Sequence, residues 1–131
     1  MKLLMFHAKE FWYKPHANLI NTSKSNNIND ALIAFIHVEE SDKNRKKEVI
    51  SKTVGNLQWL AKKNKTDRVV LHSFAHLSNS KSDPETANKI IQGIGEKLKK
   101  NFTINIVPFG QFYEFSIHVL GPSLAKVFKD L

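Results

Sequence analysis

Hydrophobic residues follow two different periods along the chain, and together these predict both strands and helices. The nearly continuous apolar run ALIAFIHV at residues 31–38 is typical of a strand that is covered on both faces. Residues 2–7 and 68–71 predict two more strands, and the aromatic residues 11–13 extend the first of them or begin another. Residues 14–30 show no apolar period and carry a proline with several asparagines and serines, so they predict a loop.

Two segments have the period of an amphipathic helix. Residues 44–65 place apolar side chains three and four positions apart, with lysines between them that form a strongly basic outer face. A second helix is predicted to begin within residues 82–85, SDPE, because Asp or Ser can cap it and Pro is tolerated in the first turn. The predicted buried stripes are Ile50, Val54, Leu57 and Ala61 in the first helix and Ala87, Ile90, Ile91, Ile94 and Leu98 in the second.

The C-terminal third predicts two more strands, at residues 103–109 and 112–119. Gly110-Gln111 lies between them, and Gly at the first central position fits a two-residue type II′ turn, so the two strands are expected to be antiparallel neighbours. Gly121-Pro122 ends the last strand, and residues 124–131 predict a short helix or tail. The order of elements predicts an α/β fold of one domain, residues 1–131, in which two main helices pack on a mixed sheet and a right-handed crossover joins two parallel strands.

Composition narrows the function classes. The chain has 20 basic residues, 18 of them lysines, against 12 acidic ones, and the net charge of +8 favours a polyanionic partner. A coding bias toward lysine explains the same charge as a solvated surface. No segment approaches the roughly 18 consecutive apolar residues of a membrane span, so we expect a soluble, cytoplasmic protein. The absence of cysteine excludes disulfides, thiolate metal sites and a cysteine nucleophile.

The first candidate site is the loop at residues 73–78, within VVLHSFAHLSN, where an apolar strand stops at a small, polar segment. Open α/β sheets bind ligands at the carboxyl edge of their strands. By spacing alone, His76 is more often an ordinary surface or packing residue than a catalytic one. His7, His37, His72 and His118 lie in predicted strands and are interpreted as core or edge histidines. No metal site is predicted, since no His-x-x-x-His pair or carboxylate spacing supports one.

Three segments together carry a family resemblance: FAHLS at residues 74–78, VPFG at residues 107–110 and the run LIAFIHVE from Leu32. They resemble the N-terminal editing domain of archaeal threonyl-tRNA synthetases, which hydrolyses serine wrongly attached to threonine tRNA. The resemblance implies a D-aminoacyl-tRNA deacylase-like fold, a homodimer, and no cofactor. It also implies the 3′ end of tRNA(Thr) carrying serine as partner, together with a separate synthetase catalytic chain if this chain is free-standing rather than excised from a longer synthetase.

The same resemblance implies the site residues. In this family, backbone amides of the Ala-His step face the substrate, Pro108-Phe109-Gly110 resembles the pocket wall, and Tyr113 stands where many members carry a lysine. Lys126 likewise aligns with an acidic residue of the familiar GHPLAEL form. The implied substrate-binding residues are Val38, Ser73, Phe74, Ala75, His76, Pro108, Phe109, Gly110 and Phe112, and the implied catalytic residues are His76, Tyr113 and Lys126.

Alternative functions stay open at this point. The two departures at Tyr113 and Lys126 favour a catalytically silent tRNA-binding module as the second interpretation. A D-aminoacyl-tRNA deacylase is third, since it is related by fold but its usual motifs are lacking. A domain that binds no RNA is the fourth.

Overall fold

One long strand organises the sheet. The structure is a computed structural model that describes residues 1–16 and 26–131. The strands are β1 (Lys2–Pro15), β2 (Asn26–His37), β3 (Arg68–Ser73), β4 (Thr103–Ile106), β5 (Tyr113–Val119) and β6 (Lys126–Asp130). The helices are α1 (Lys46–Lys63) and α2 (Pro84–Leu98), with short 3-10 turns at Glu40–Asn44 and Ser123–Ala125. The strand order is β4-β3-β2-β1-β5, and β6 also pairs with β1.

β1 is long enough to pair with two strands, β5 and β6, along the same side. It pairs with β2 along almost its whole length, while on its other side Lys2 to Phe6 pair with β6 and Ala8 to Pro15 pair with β5, all antiparallel. β2 and β3 are parallel, as are β3 and β4. The parallel pairing predicted across the strand-helix-strand unit β2-α1-β3 is therefore confirmed.

The two faces of the sheet bury separate apolar clusters because side chains alternate along each strand. Leu32, Ala34 and Ile36 pack with α1 and α2, whereas Ile33 and Phe35 belong to a cluster on the opposite face that contains no helical residue. Both helices thus cover one face. This arrangement confirms the predicted class, an α/β mixed sheet with two main helices.

Local sequence signals placed both helices well. The Asp83 carboxylate accepts a hydrogen bond from the Thr86 N–H at 2.9 Å, which is the predicted cap of α2, and the five predicted stripe residues of α2 are all buried. In α1, Leu57 and Ala61 are buried, but Ile50 and Val54 are half-buried. The buried face of α1 is therefore rotated slightly from the predicted one and also includes Val49, Thr53 and Leu60.

The predicted hairpin around Gly110 is wrong. β4 ends at Ile106 and pairs with β3 at one edge of the sheet, whereas β5 pairs with β1 at the other. Pro108 lacks the N–H that a ladder needs, so the strand stops before it. Gly110 does adopt a positive φ of 90°, but it does so within a connection that crosses from one side of the sheet to the other.

Two further boundaries need correction. The predicted loop at residues 14–30 is strand at both described ends, since β1 reaches Pro15 and β2 begins at Asn26; residues 17–25 lie outside the described residues. Pairing with β1 overrides the low strand propensity of the asparagines. The predicted terminal helix or tail at residues 124–131 is largely the strand β6, which occupies the half of β1 that β5 leaves open.

Candidate functional site

A cavity of about 450 Å³ opens beyond the carboxyl end of β3. One wall is the segment that follows β3, and the other is the connection between β4 and β5. The lining residues are His72, Ser73, Phe74, Ala75, His76, Lys81, Pro84, Val107, Pro108, Phe109, Gly110, Gln111, Phe112, Tyr113 and Phe115. A ligand site at the carboxyl edge of a sheet is the position expected for this class of fold.

Hydrogen bonds hold the first wall of the cavity against the end of β2. The Phe74 N–H donates to the Ile36 carbonyl at 2.9 Å. The Leu77 N–H donates to Nδ1 of His37 at 2.9 Å, and His37 Nε2 lies 2.7 Å from the Ser80 carbonyl. Because Nδ1 accepts a proton donor, Nε2 must carry the ring hydrogen and donate it to Ser80. A neutral, fully buried imidazole therefore holds two points of the loop.

These hydrogen bonds leave the N–H groups of two neighbouring residues, Ala75 and His76, free. The N–H groups of Phe74 and Leu77 are used, whereas those of Ala75 and His76 have no acceptor among residues 1–16 and 26–131. Both residues are exposed and line the cavity. Two unpartnered N–H groups on a fixed loop are suited to stabilising a negatively charged oxygen, because the donors require no reorganisation.

Glu39 provides a further attachment for this loop. Its Oε2 accepts a hydrogen bond from the Ser78 hydroxyl at 2.7 Å, and its Oε1 lies 2.9 Å from the Met1 ammonium and 3.3 Å from Lys2 Nζ. Partial burial would raise the pKa of Glu39, but the bonds from the ammonium and Ser78 outweigh it and lower this pKa to about 2. The carboxylate is therefore charged at neutral pH.

The second wall is braced by Tyr113. Its hydroxyl donates to the Pro108 carbonyl at 2.7 Å and so closes the segment that contains Gly110. Burial, and secondarily the nearby Tyr13, raises the pKa of Tyr113. A phenol with a raised pKa cannot serve as a general base near neutral pH, although its oxygen can still accept a hydrogen bond.

His72 lies at the base of the cavity among aromatic rings. Its ring centroid is 5.4 Å from that of Phe35 and 5.7 Å from that of Tyr113. Nδ1 donates to the Ser73 carbonyl at 2.7 Å, while Nε2 is buried and has no partner among the described residues. Burial lowers the pKa of His72, and the bond to Ser73 offsets this only in part. The imidazole is therefore held neutral.

The structure brings most of the predicted site residues together. Those that line the cavity are Ser73, Phe74, Ala75, His76, Pro108, Phe109, Gly110, Phe112 and Tyr113. Val38 does not line it, because it is buried in the apolar cluster on the helical face. Lys126 does not line it either: its ammonium donates to the carbonyls of Leu120 and Gly121 at 2.7 and 3.2 Å, which secures the turn before β6.

The sequence analysis missed several lining residues, of which three have polar side chains: His72, Lys81 and Gln111. The alternation along β3 puts His72 on the same face as Val70, and that signal was available in the sequence. Lys81 gave no signal, because its position depends on how the loop folds back. Among the residues that the structure describes, the cavity lining holds this one ammonium and no carboxylate. No cluster of three or more potential metal ligands occurs within the described part of the chain.

None of the helices that the structure describes combines the length and the apolar character needed to cross a membrane.

Comparisons with known proteins identify the family of this chain. A family model for the archaea-specific editing domain of threonyl-tRNA synthetase matches residues 1–131. Threonine–tRNA ligases of Methanosarcina barkeri and Methanothrix thermoacetophila are 35% and 31% identical to the chain, over 100% of it. The chain spans only 22% of the length of each of these relatives.

A solved structure, that of the c-Myc DNA Unwinding Element Binding Protein, matches with a TM-score of 0.70 and 11% identity, covering 100% of this chain and 99% of that one. At this identity the likeness shows the fold alone. It confirms the predicted α/β, D-aminoacyl-tRNA deacylase-like fold.

Proposed function

Since the chain belongs to the archaea-specific editing-domain family of threonyl-tRNA synthetase, we propose that it hydrolyses the ester that joins L-serine to tRNA(Thr). The observation that carries this proposal is the hydrogen-bonded loop at residues 73–78, whose two free amides, at residues 75 and 76, line a cavity of about 450 Å³. Family membership supports an editing role in general. The identity of the amino acid and the route of hydrolysis are the proposal.

The reaction needs little covalent chemistry from the protein. Water attacks the ester carbonyl carbon, the negative charge collects on the carbonyl oxygen, and the bond to the ribose 3′ oxygen then breaks. The proton lost by water ends on that oxygen, so the products are free serine and tRNA with a 3′-hydroxyl. The N–H groups of Ala75 and His76 would hold the developing oxyanion, an interaction that typically contributes a factor of about 10² to 10³ per donor.

Two side chains and the substrate itself would position the water. The His76 imidazole lines the cavity, and its ring centroid lies 4.9 Å from that of Phe74, which orients it. The Tyr113 oxygen can accept a hydrogen bond from water while it donates to Pro108. The 2′-hydroxyl of the terminal adenosine completes the arrangement. Lys126 has no step in this route, because its ammonium is bound to turn carbonyls.

Selectivity would come from a tight fit. Serine differs from threonine by one methyl group, which is worth about 1 to 3 kcal/mol and is too little for accurate charging in a single site. An editing pocket must accept serine and exclude the methyl group. Ser73, Ala75 and Phe109 line the cavity and would set its size. Val38 would act only indirectly, through its carbonyl, which accepts the Ser82 N–H at 3.1 Å.

The test is deacylation of L-seryl-tRNA(Thr), L-threonyl-tRNA(Thr) and a D-aminoacyl-tRNA by purified protein, with a chelator present. We expect rapid loss of L-serine alone. Cleavage of only the D-ester would replace the proposed substrate, and no cleavage with intact tRNA binding would identify a silent binding module. The same reaction run with added threonyl-tRNA synthetase catalytic chain would test that proposed partner, and sedimentation would test the proposed homodimer.

A further inference from the structure

The mouth of the cavity carries an exposed aromatic ring. Phe112 is 82% exposed, the most exposed of the large hydrophobic side chains in the described part of the chain. Single exposed apolar residues are common and need no explanation. Phe112 is not isolated, however, because Phe74, Phe109 and Phe115 line the same cavity.

The backbone beneath this ring is fixed. The Phe112 carbonyl accepts the N–H of His16 at 2.8 Å, and the next residue, Tyr113, is tied back to Pro108 at 2.7 Å. The loop is therefore braced on both sides while the ring stays in solvent. A flat ring on a rigid support loses little conformational entropy when a second flat group stacks on it.

A cation accompanies the ring. Lys81 lines the same cavity. Among residues 1–16 and 26–131, no carboxylate lines this cavity and none forms a salt bridge with Lys81. The whole chain carries a net charge of +8. Proteins hold single-stranded nucleic acid by combining aromatic rings, on which bases stack, with cations that neutralise phosphates, and this cavity has both groups in its lining.

We propose that Phe112 and Lys81 form a docking surface for the unpaired 3′ end of an RNA strand, in which Phe112 stacks on a base and Lys81 contacts a backbone phosphate. This surface rests on the proposed function, because it would hold the nucleotides that lead to the esterified adenosine. It adds a recognition step that reads an unpaired strand rather than a duplex.

The experiment measures binding of an unacylated, fluorescently labelled single-stranded RNA hexamer ending in CCA, beside a blunt RNA duplex of the same length. Wild-type protein is expected to prefer the single strand. Phe112→Ala should weaken that binding about 5- to 140-fold, the range that loss of one stacked base implies, and Phe112→Trp should restore it. Lys81→Gln should lower the slope of log affinity against log salt by about 0.7, the value for one phosphate of a single strand.

Two residues of β6 provide matched controls. Phe128→Ala removes another exposed aromatic ring, and Lys129→Gln removes another exposed lysine; both are on β6 and outside the cavity lining. Neither should change binding. Equal affinity for duplex and single strand, or equal losses in the control variants, would overturn the docking surface. So would a Phe112→Ala variant whose only change is its oligomeric state.

Because the probe carries no amino acid, the outcome is independent of hydrolysis. Seryl-tRNA cleavage without single-strand preference would sink this surface and leave the proposed function standing. Single-strand preference without cleavage of any ester would do the reverse.

Discussion

Replacing His37 with leucine should release the site loop. The change keeps an apolar group of similar size in a fully buried position but removes the bonds to the Leu77 N–H and the Ser80 carbonyl. Each such bond contributes about 0.5 to 1.5 kcal/mol net, so the two together stabilise the docked loop by about 1 to 3 kcal/mol. Leu77 and Ser80 are partly or fully exposed, and water can therefore replace the lost partners without a larger penalty.

Hydrogen exchange at the Leu77 amide is the most direct assay. A loss of about 1 to 3 kcal/mol corresponds to a 5- to 140-fold fall in protection, and the free energy of unfolding should fall by the same amount. His37→Asn is the matched control, because its side-chain oxygen can replace Nδ1 as the acceptor for Leu77 while the bond to Ser80 is lost. We expect Asn to preserve Leu77 protection and to retain more seryl-tRNA hydrolysis than Leu does.

The reasoning would be refuted if His37→Leu kept wild-type stability, Leu77 protection and hydrolysis together. It would also be refuted if Asn and Leu had the same effect on Leu77, since that outcome would mean that the acceptor at Nδ1 does not hold the loop.

Three other changes test separate parts of the structure. The pKa of His72 is lowered in the folded protein, so the unfolded chain binds a proton more readily. The free energy of unfolding should therefore fall as pH drops below about 6.5, by at most about 1.4 kcal/mol per pH unit. Urea unfolding at several pH values should show a smaller dependence of this free energy on pH for His72→Phe, and an unchanged dependence would contradict the assignment. Asp83→Ala removes the cap on the Thr86 N–H and should cost about 0.5 to 2 kcal/mol in chemical denaturation, with Asp83→Asn losing less. Gly95→Ala would place its Cβ 2.8 Å from Ile106 Cδ1, and the overpacking cost of about 1 to 3 kcal/mol is opposed by about 1 kcal/mol of helix propensity that Ala gains, so stability should fall by up to about 2 kcal/mol. A raised melting temperature would show that the Ile106 side chain moves aside freely.

The sequence predicted features whose causes are local. Asp83 and Pro84 begin α2 as their local preferences indicate, and the apolar run from Ala31 lies in the buried strand β2, which ends at His37. The pairing of strands could not be predicted from local sequence in this way. β5 pairs with the second half of β1, which lies about a hundred residues earlier in the chain. Gly110 is compatible with a hairpin that pairs β4 with β5. In the structure β4 pairs with β3 instead, and β5 pairs with β1.

The candidate site likewise has parts that the sequence predicted and parts that depend on the folded chain. Residues 73–78 follow a strand and were found from the abrupt change in polarity, and the segment at residues 107–110 was found by resemblance. His37 was interpreted as core, and it is buried, but its two bonds to the loop depend on where the chain returns after Phe74. Lys126 aligned with a family position, yet its ammonium is held by the carbonyls that precede β6.

The position of β1 has a consequence for synthesis on the ribosome. On the side away from β2, its first half pairs with β6, so that side of Lys2 gains its partner only when Asp130 has been made. At about 5 to 20 residues per second, the opening strand waits roughly 6 to 25 seconds with one edge unpaired. Any nascent chain that stalls before β6 carries an exposed strand edge, which is a template for pairing with another chain. The arrival of β6 therefore decides whether this edge of β1 pairs within its own domain or stays open to another chain.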